Sequence, residues 1–114
     1  MPFHRSFLFA PGNHPRRVEK AFTLDADVVI LDLEDSVAVS DKPAARKPVA
    51  EALAATARGA RRCRGYVRIN AMGTPFCFHD LLETIGPGVD GVVLPKVESA
   101  ADLHAIDWLI ANLE

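Results

Sequence analysis

Arg5-Ser-Phe-Leu-Phe-Ala-Pro-Gly-Asn-His-Pro-Arg16 and Val28-Val-Ile-Leu-Asp-Leu-Glu-Asp35 decide how this chain folds. Each is a short apolar segment that breaks off in polar, turn-forming residues. The first runs into Pro11-Gly12-Asn13 and a helical stretch carrying Arg16, Arg17 and Lys20; the second runs into the carboxylates of Asp32, Glu34 and Asp35. Reactive groups of parallel α/β proteins gather at the C-terminal ends of the strands. One basic and one acidic strand end therefore read as two walls of a single pocket for anions and metal ions.

Outward from these stretches the apolar period alternates between strand and helix. Ser6–Ala10 is the first expected strand, followed by a helix that Asn13 caps and Pro15 opens, with Val18, Ala21 and Phe22 on its inner face. Asp27–Leu33 is the second, a continuous apolar run of the kind buried on both sides of a parallel sheet. Ser40 or Asp41 caps a helix reaching about Arg58, with Ala45, Val49, Ala52 and Leu53 inward; Pro48 is expected to kink it or split off its first turn. Gly65–Asn70 and Gly91–Pro95 are the third and fourth strands, separated by a helix over Phe78–Ile85 that Gly86-Pro87-Gly88 stops. Ser99 caps the last helix in a capping-box arrangement with Asp102, above a stripe of Leu103, Ile106, Ile110 and Leu113, and Trp108 is read as packing.

Four β-then-α units imply a parallel sheet with right-handed crossovers. Two architectures use such units: an open flavodoxin-like sheet, and an eight-unit barrel of about 250 residues. P-loop and GxGxxG glycine patterns are absent, so residues 1–114 are expected to form a single domain, the N-terminal half of a (β/α)8 TIM barrel. Its inner face is expected to carry Leu8, Val29, Leu31, Val67, Ile69 and Val93. Unpaired first and fourth strands would recruit another chain, so a homo-oligomer is expected.

Composition excludes several classes. Hydrophobic residues make up 49% of the 114, and the net charge of -2 gives no case for nucleic acid or a membrane surface. The basic run Arg58, Arg61, Arg62, Arg64 reads as a solvated connection. Cys63 and Cys77 lack CxxC spacing, and His4, His14, His79 and His104 lack metal-ligand spacing. The longest apolar run is far too short to span a bilayer, and a soluble cytoplasmic protein is the expectation.

At RSFLFAPGNHPRRVEKA (5–21), ADVVILDLEDSVAVSDKPAAR (26–46), VRIN (67–70) and GVVLPKVES (91–99) the chain resembles the citrate lyase β-subunit, malyl-CoA lyase and 2-oxoacid aldolase family, the HpcH/HpaI aldolases. The resemblance implies a (βα)8 barrel, Mg2+, and cleavage or formation of a carbon–carbon bond in a carboxylated acyl-CoA or 2-oxo acid. It places Phe9, Arg16 and Lys20 in the substrate or acyl-CoA site, Arg68 on the substrate carboxylate, and Glu34 and Asp35 beside the metal. The two Mg2+ ligands that it implies, a Glu and an Asp after strands five and six, fall beyond Glu114. No metal ligand set is therefore expected within this chain, which is expected to be inactive alone.

Residue chemistry supports part of this directly. A guanidinium at Arg68 can hold a carboxylate through two parallel hydrogen bonds, with a substrate or Glu34/Asp35 as partner, or it can form a structural ion pair at the barrel mouth. Asp32 and Glu34 share a strand face by period 2, and clustered carboxylates need a cation. On the alternative reading Asp32 and Asp35 cap or pair with Lys42, Arg46 and Arg68. Lys96 at the fourth strand end reads as a charge at the pocket mouth rather than a Schiff-base lysine. A fragment without catalysis, binding small carboxylates or a protein through open sheet edges, is the alternative.

Overall fold

Val28–Asp32 forms the central strand, β2, and every residue in it is buried. The computed structural model describes residues 4–114. Flanking β2 are β1 (Phe7–Pro11) and β3 (Arg64–Arg68), and β4 (Gly91–Val93) completes a parallel sheet in the order β1-β2-β3-β4. The connections are α1 (Pro15–Ala21), α2 (Lys42–Arg58, entered through a 3-10 turn at Val39–Asp41) and α3 (Cys77–Thr84), with α4 (Ala100–Leu113) after β4. A sheet that adds each new strand on the same side keeps its right-handed crossovers on one face. The core is accordingly one-sided: Ala10, Val29, Leu31, Leu33, Val67 and Ile69 pack with Val18, Val49, Leu53, Leu81 and Ile106 of the helices. A doubly wound sheet would reverse its order to carry helices on both faces. The sequential order therefore selects the barrel architecture over the flavodoxin-like one.

Register corrects the expected inner face. Phe7, Phe9 and Pro11 pair with Val28, Ile30 and Asp32, which pair with Arg64, Tyr66 and Arg68; Tyr66 and Arg68 in turn pair with Gly91 and Val93. These residues line the concave side. Of the six residues expected there, only Val93 lies on it; Leu8, Val29, Leu31, Val67 and Ile69 face the helices. In a run that is apolar on both sides, period 2 cannot be phased from sequence. The concave side instead exposes Phe7 and Phe9 by about half.

Element ends moved by no more than two residues; β4, for one, stops at Val93 rather than Pro95. Four local expectations are corrected. Helix α2 is continuous from Lys42 to Arg58, so Pro48 does not split off its first turn; Ala44, four residues back, is exposed and its carbonyl can turn to water. His14, not Asn13, occupies the N-cap of α1, with no side-chain cap bond. Ser99 occupies the N-cap of α4 without a side-chain cap bond, and Asp102 accepts from the Glu98 N–H at 3.0 Å rather than closing a box on Ser99. On α4, Leu103 and Trp108 are 53% and 65% exposed, and Leu109 takes the place expected for Leu103. Among the described residues, no helix is long and apolar enough to cross a membrane.

Helix α2 ends in a Schellman pair of bonds, Ala60 N–H to Ala57 O and Arg61 N–H to Thr56 O, with Ala60 at φ 58°. Alanine in this left-handed position carries a steric cost that glycine does not. Ala60→Gly is expected to stabilise the fold by about 1 kcal/mol, read as a melting temperature a few degrees higher. An unchanged or lower value would show that the lost chain stiffness outweighs the relieved strain.

Candidate active site

The C-terminal ends of β2 and β3 meet in an ion-paired cluster. Pairing of Asp32 with Arg68 across the ladder puts both side chains on the concave face, and Glu34, two residues further, returns to it. Arg68 donates from Nε to Asp32 Oδ1 at 2.8 Å and from Nη2 to Oδ2 at 2.9 Å, a two-pronged pair. Its Nε also lies 3.6 Å from Glu34 Oε1. The guanidinium sits over the Phe9 ring, 4.7 Å from the centroid, so Arg68 bridges three strands. Among the described residues its Nη1 has no partner. Lys96, in the left-handed region at φ 53°, donates from Nζ to Glu34 Oε2 at 2.7 Å.

Asp32 is the electrostatic anchor. Burial alone would raise its pKa, but the Arg68 guanidinium, the Ser36 hydroxyl (2.6 Å) and the Ser36 and Glu34 N–H groups hold the carboxyl well below the usual carboxylate range. The hydrogen bond to Asp32 raises Arg68 in return, and Glu34 raises Lys96 through its hydrogen bond and charge. Asp35 is exposed at the cluster's rim and adds negative field to both cations. Burial raises both Cys63 and Cys77, the behaviour of inert thiols.

Of the residues singled out in the sequence, Phe9, Arg68 and Glu34 come together, with Asp35 beside them. Of the expected Arg68 partners, a ligand or Glu34/Asp35 on one reading and Asp32 or Asp35 on the other, Asp32 is the carboxylate that holds it. Arg16 and Lys20 stand exposed on α1 and make no side-chain hydrogen bond among the described residues. Lys20 borders a cleft along β1 that Phe9 also lines. The turn before α1 does not offer all its amides to an anion, since Gly12 N–H donates to Asp32 O at 2.8 Å and His14 N–H to Pro11 O. Gly12 must be glycine, because a Cβ there would stand 2.6 Å from Asp32 O and 2.7 Å from Val49 Cγ2.

Behind the cluster lies a second network that the sequence reading missed. Asp80, fully buried, accepts from Arg46 Nε (2.9 Å), Asn70 N–H (2.8 Å) and Asn70 Nδ2 (2.7 Å). Arg46 also reaches Glu83 at 3.1 Å. Asn70 Nδ2 and Lys42 Nζ both donate to Leu33 O at 3.0 Å, and Lys42 donates again to Glu34 O at 2.6 Å. The expected pairing of Lys42 or Arg46 with Asp32 or Asp35 does not occur. A signal was present: Asp80 occupies the buried stripe of α3 with Cys77, Leu81 and Thr84.

As a metal site the cluster falls short by itself. Among the described residues no group of three or more His, Cys, Asp and Glu side chains is placed to hold an ion. Asp32 is committed to Arg68 and Ser36, leaving Glu34 and Asp35 as the oxygens within reach.

A family model described as HpcH/HpaI aldolase/citrate lyase matches residues 5–114. L-malyl-CoA/beta-methylmalyl-CoA lyase of Rhodobacter capsulatus is 42% identical over 114 residues, covering 97% of this chain and 35% of that protein. Citrate lyase subunit beta of Leuconostoc mesenteroides subsp. cremoris is 40% identical over 110 residues, covering 96% of this chain and 36% of that protein. The chain thus spans little more than a third of the length of these relatives. Among solved structures, protein CitE of Mycobacterium tuberculosis in complex with magnesium, acetoacetate and coenzyme A superimposes with a TM-score of 0.74 at 41% identity, covering 90% of this chain and 36% of that one.

Proposed function

This chain belongs to the HpcH/HpaI aldolase/citrate lyase family, and from that premise we propose that it forms the carboxylate-holding wall of a Mg2+-dependent carbon–carbon lyase. The substrate class is a carboxylated acyl-CoA thioester or a 2-oxo acid. One observation carries the reading: Asp32 fixes the Nε–Nη2 edge of the Arg68 guanidinium against Phe9 and leaves Nη1 over. A guanidinium pre-oriented in this way can take a substrate carboxylate without paying again to order its own chain.

In this reading Arg68 binds and orients the carboxylate and disperses negative charge that develops as the bond breaks. Glu34, held between Arg68 and Lys96, and Asp35 at the rim face the ion through water. Phe9 floors the pocket, and Arg16 and Lys20, four apart on α1, meet the phosphates of CoA. Bound Mg2+ supplies Lewis acidity toward the substrate oxygens. In this reading its direct ligands, a Glu and an Asp, are supplied by the fifth and sixth barrel strands.

The test is a Mg2+-dependent assay with malyl-CoA, citramalyl-CoA and oxaloacetate. Residues 1–114 alone are expected to be silent, and a preparation that carries the further barrel strands to be active. Turnover by residues 1–114 alone would refute the division of labour, and silence of both preparations would refute the lyase reading. Retained oxaloacetate binding in that last case would favour a carboxylate-binding role without catalysis.

A further inference from the structure

The hydrogen-bond ladder between β2 and β3 is diverted just where the site begins. Leu33 N–H donates to Arg68 O at 2.9 Å, the regular parallel bond. The next rung of that pattern would run from Asn70 N–H to Leu33 O. Instead Asn70 N–H turns to Asp80 Oδ2, and Leu33 O accepts two side-chain donors, Asn70 Nδ2 and Lys42 Nζ. Lys42 is 7% exposed and has no carboxylate within ion-pairing distance among the described residues. Its ammonium is spent on the carbonyls of Leu33 and Glu34, with the Phe76 ring 5.9 Å away. Burying a cation to bind two carbonyls is costly, and an ordinary ladder rung would satisfy Leu33 O more cheaply.

We propose that Lys42, Asn70 and Asp80 are positioning residues: a buried clamp that parts β2 from β3 and aims Glu34 into the site. Asp80 fixes Asn70 by taking both its backbone N–H and its amide, Asn70 and Lys42 hold Leu33 O from two sides, and Lys42 fixes Glu34 O. With its own carbonyl held, Glu34 has only side-chain torsions left, and its carboxylate lands between Lys96 Nζ and Arg68 Nε. The catalytic part of this inference rests on the proposed lyase reading; the structural part does not.

Two measurements separate these parts. The first is amide hydrogen exchange without substrate at Glu34, Ser36 and Val37, in wild type, Lys42→Met and Asn70→Ser. Asn70→Ser removes only the side-chain amide and leaves the backbone bond to Asp80, so it remains informative should Lys42→Met fail to fold. Faster exchange at these three amides with a cooperative melt is expected. Unchanged exchange in a folded variant overturns the clamp. The second is a double-mutant cycle of Lys42→Met with Glu34→Gln, read in kcat and KM of the active lyase. Lys42→Met is expected to lower kcat by about 10- to 100-fold, with KM little changed, and to add nothing further in the Glu34→Gln background. Equal loss in both backgrounds overturns action through Glu34. Changed exchange without any lyase activity in wild type would uphold the clamp and reject the lyase reading.

Discussion

Arg68→Ala is expected to lower kcat/KM and to weaken the fold in the same variant. Loss of a charge-assisted pair to the substrate costs about 2–4 kcal/mol in the transition state, or roughly 30- to 1000-fold in kcat/KM. The fold suffers because Asp32, 1% exposed, loses its counter-ion. Breaking a buried pair commonly costs about 3–5 kcal/mol, but Arg68 is 23% exposed and Asp32 keeps the Ser36 hydroxyl and two amides. A cost of about 2 kcal/mol is the expectation. The sign of its pH dependence follows from Asp32. In wild type its depressed pKa contributes stability present above the ordinary carboxylate value near 4 and lost only as the pH falls toward the depressed value. Without Arg68 that depression is smaller, so the variant gains on wild type as the pH falls below about 4. A melting-temperature gap that does not narrow over that range would remove Asp32 as the cause. Arg68→Ala with Asp32→Asn should recover stability and leave kcat/KM low.

The site residues legible in the sequence were those whose charge sits at a strand end: Arg68, Glu34, Asp35 and Asp32. Their partners were legible only in part: Arg68 stood among the candidates for Asp32, beside Lys42 and Arg46. Period 2 gives a face but no distance, and the two-pronged grip of Asp32 on Arg68 depends on which residues the parallel register sets opposite. Four βα units could be read from alternating apolar period, and their sequential order matched the barrel expectation. The concave side was misassigned because Val28–Leu31 is apolar on both faces, so the phase depends on where α1 and α2 dock. Pro48 leaves α2 unsplit for a related reason. A propensity rule applied to one residue ignores that Val49 and Leu53 bury the helix on its other side. Asp80 escaped notice because a search for apolar stripes passes over a carboxylate set among them.

That carboxylate supplies the second large effect. Asp80→Ala is expected to destabilise the fold by about 3–5 kcal/mol, a large share of a stability of about 5–15 kcal/mol. Three buried donors lose their acceptor at once: Arg46 Nε and both Asn70 groups. Glu83 is too exposed and too far along Arg46 to compensate for all three. The check is a urea midpoint for Asp80→Ala against Glu83→Ala, which should cost under about 1 kcal/mol as a surface pair. Equal midpoints for the two variants would show that Asp80 carries no special burden.

A sheet whose order in space repeats its order in the chain also has a history written into it. β2 needs only β1 to pair with, β3 needs only β2, and β4 only β3. No strand waits for a partner made later, so each loop closure spans one connecting βα unit and no more. Emerging residue by residue from the ribosome, such a chain can lay down each βα unit on the one before it. The clamp obeys the same timetable: Lys42 follows Glu34 at once, while Asp80 arrives last and locks Asn70 only after β3 is in place. Synthesis thus builds the scaffold first and sets the reactive end of β2 afterwards.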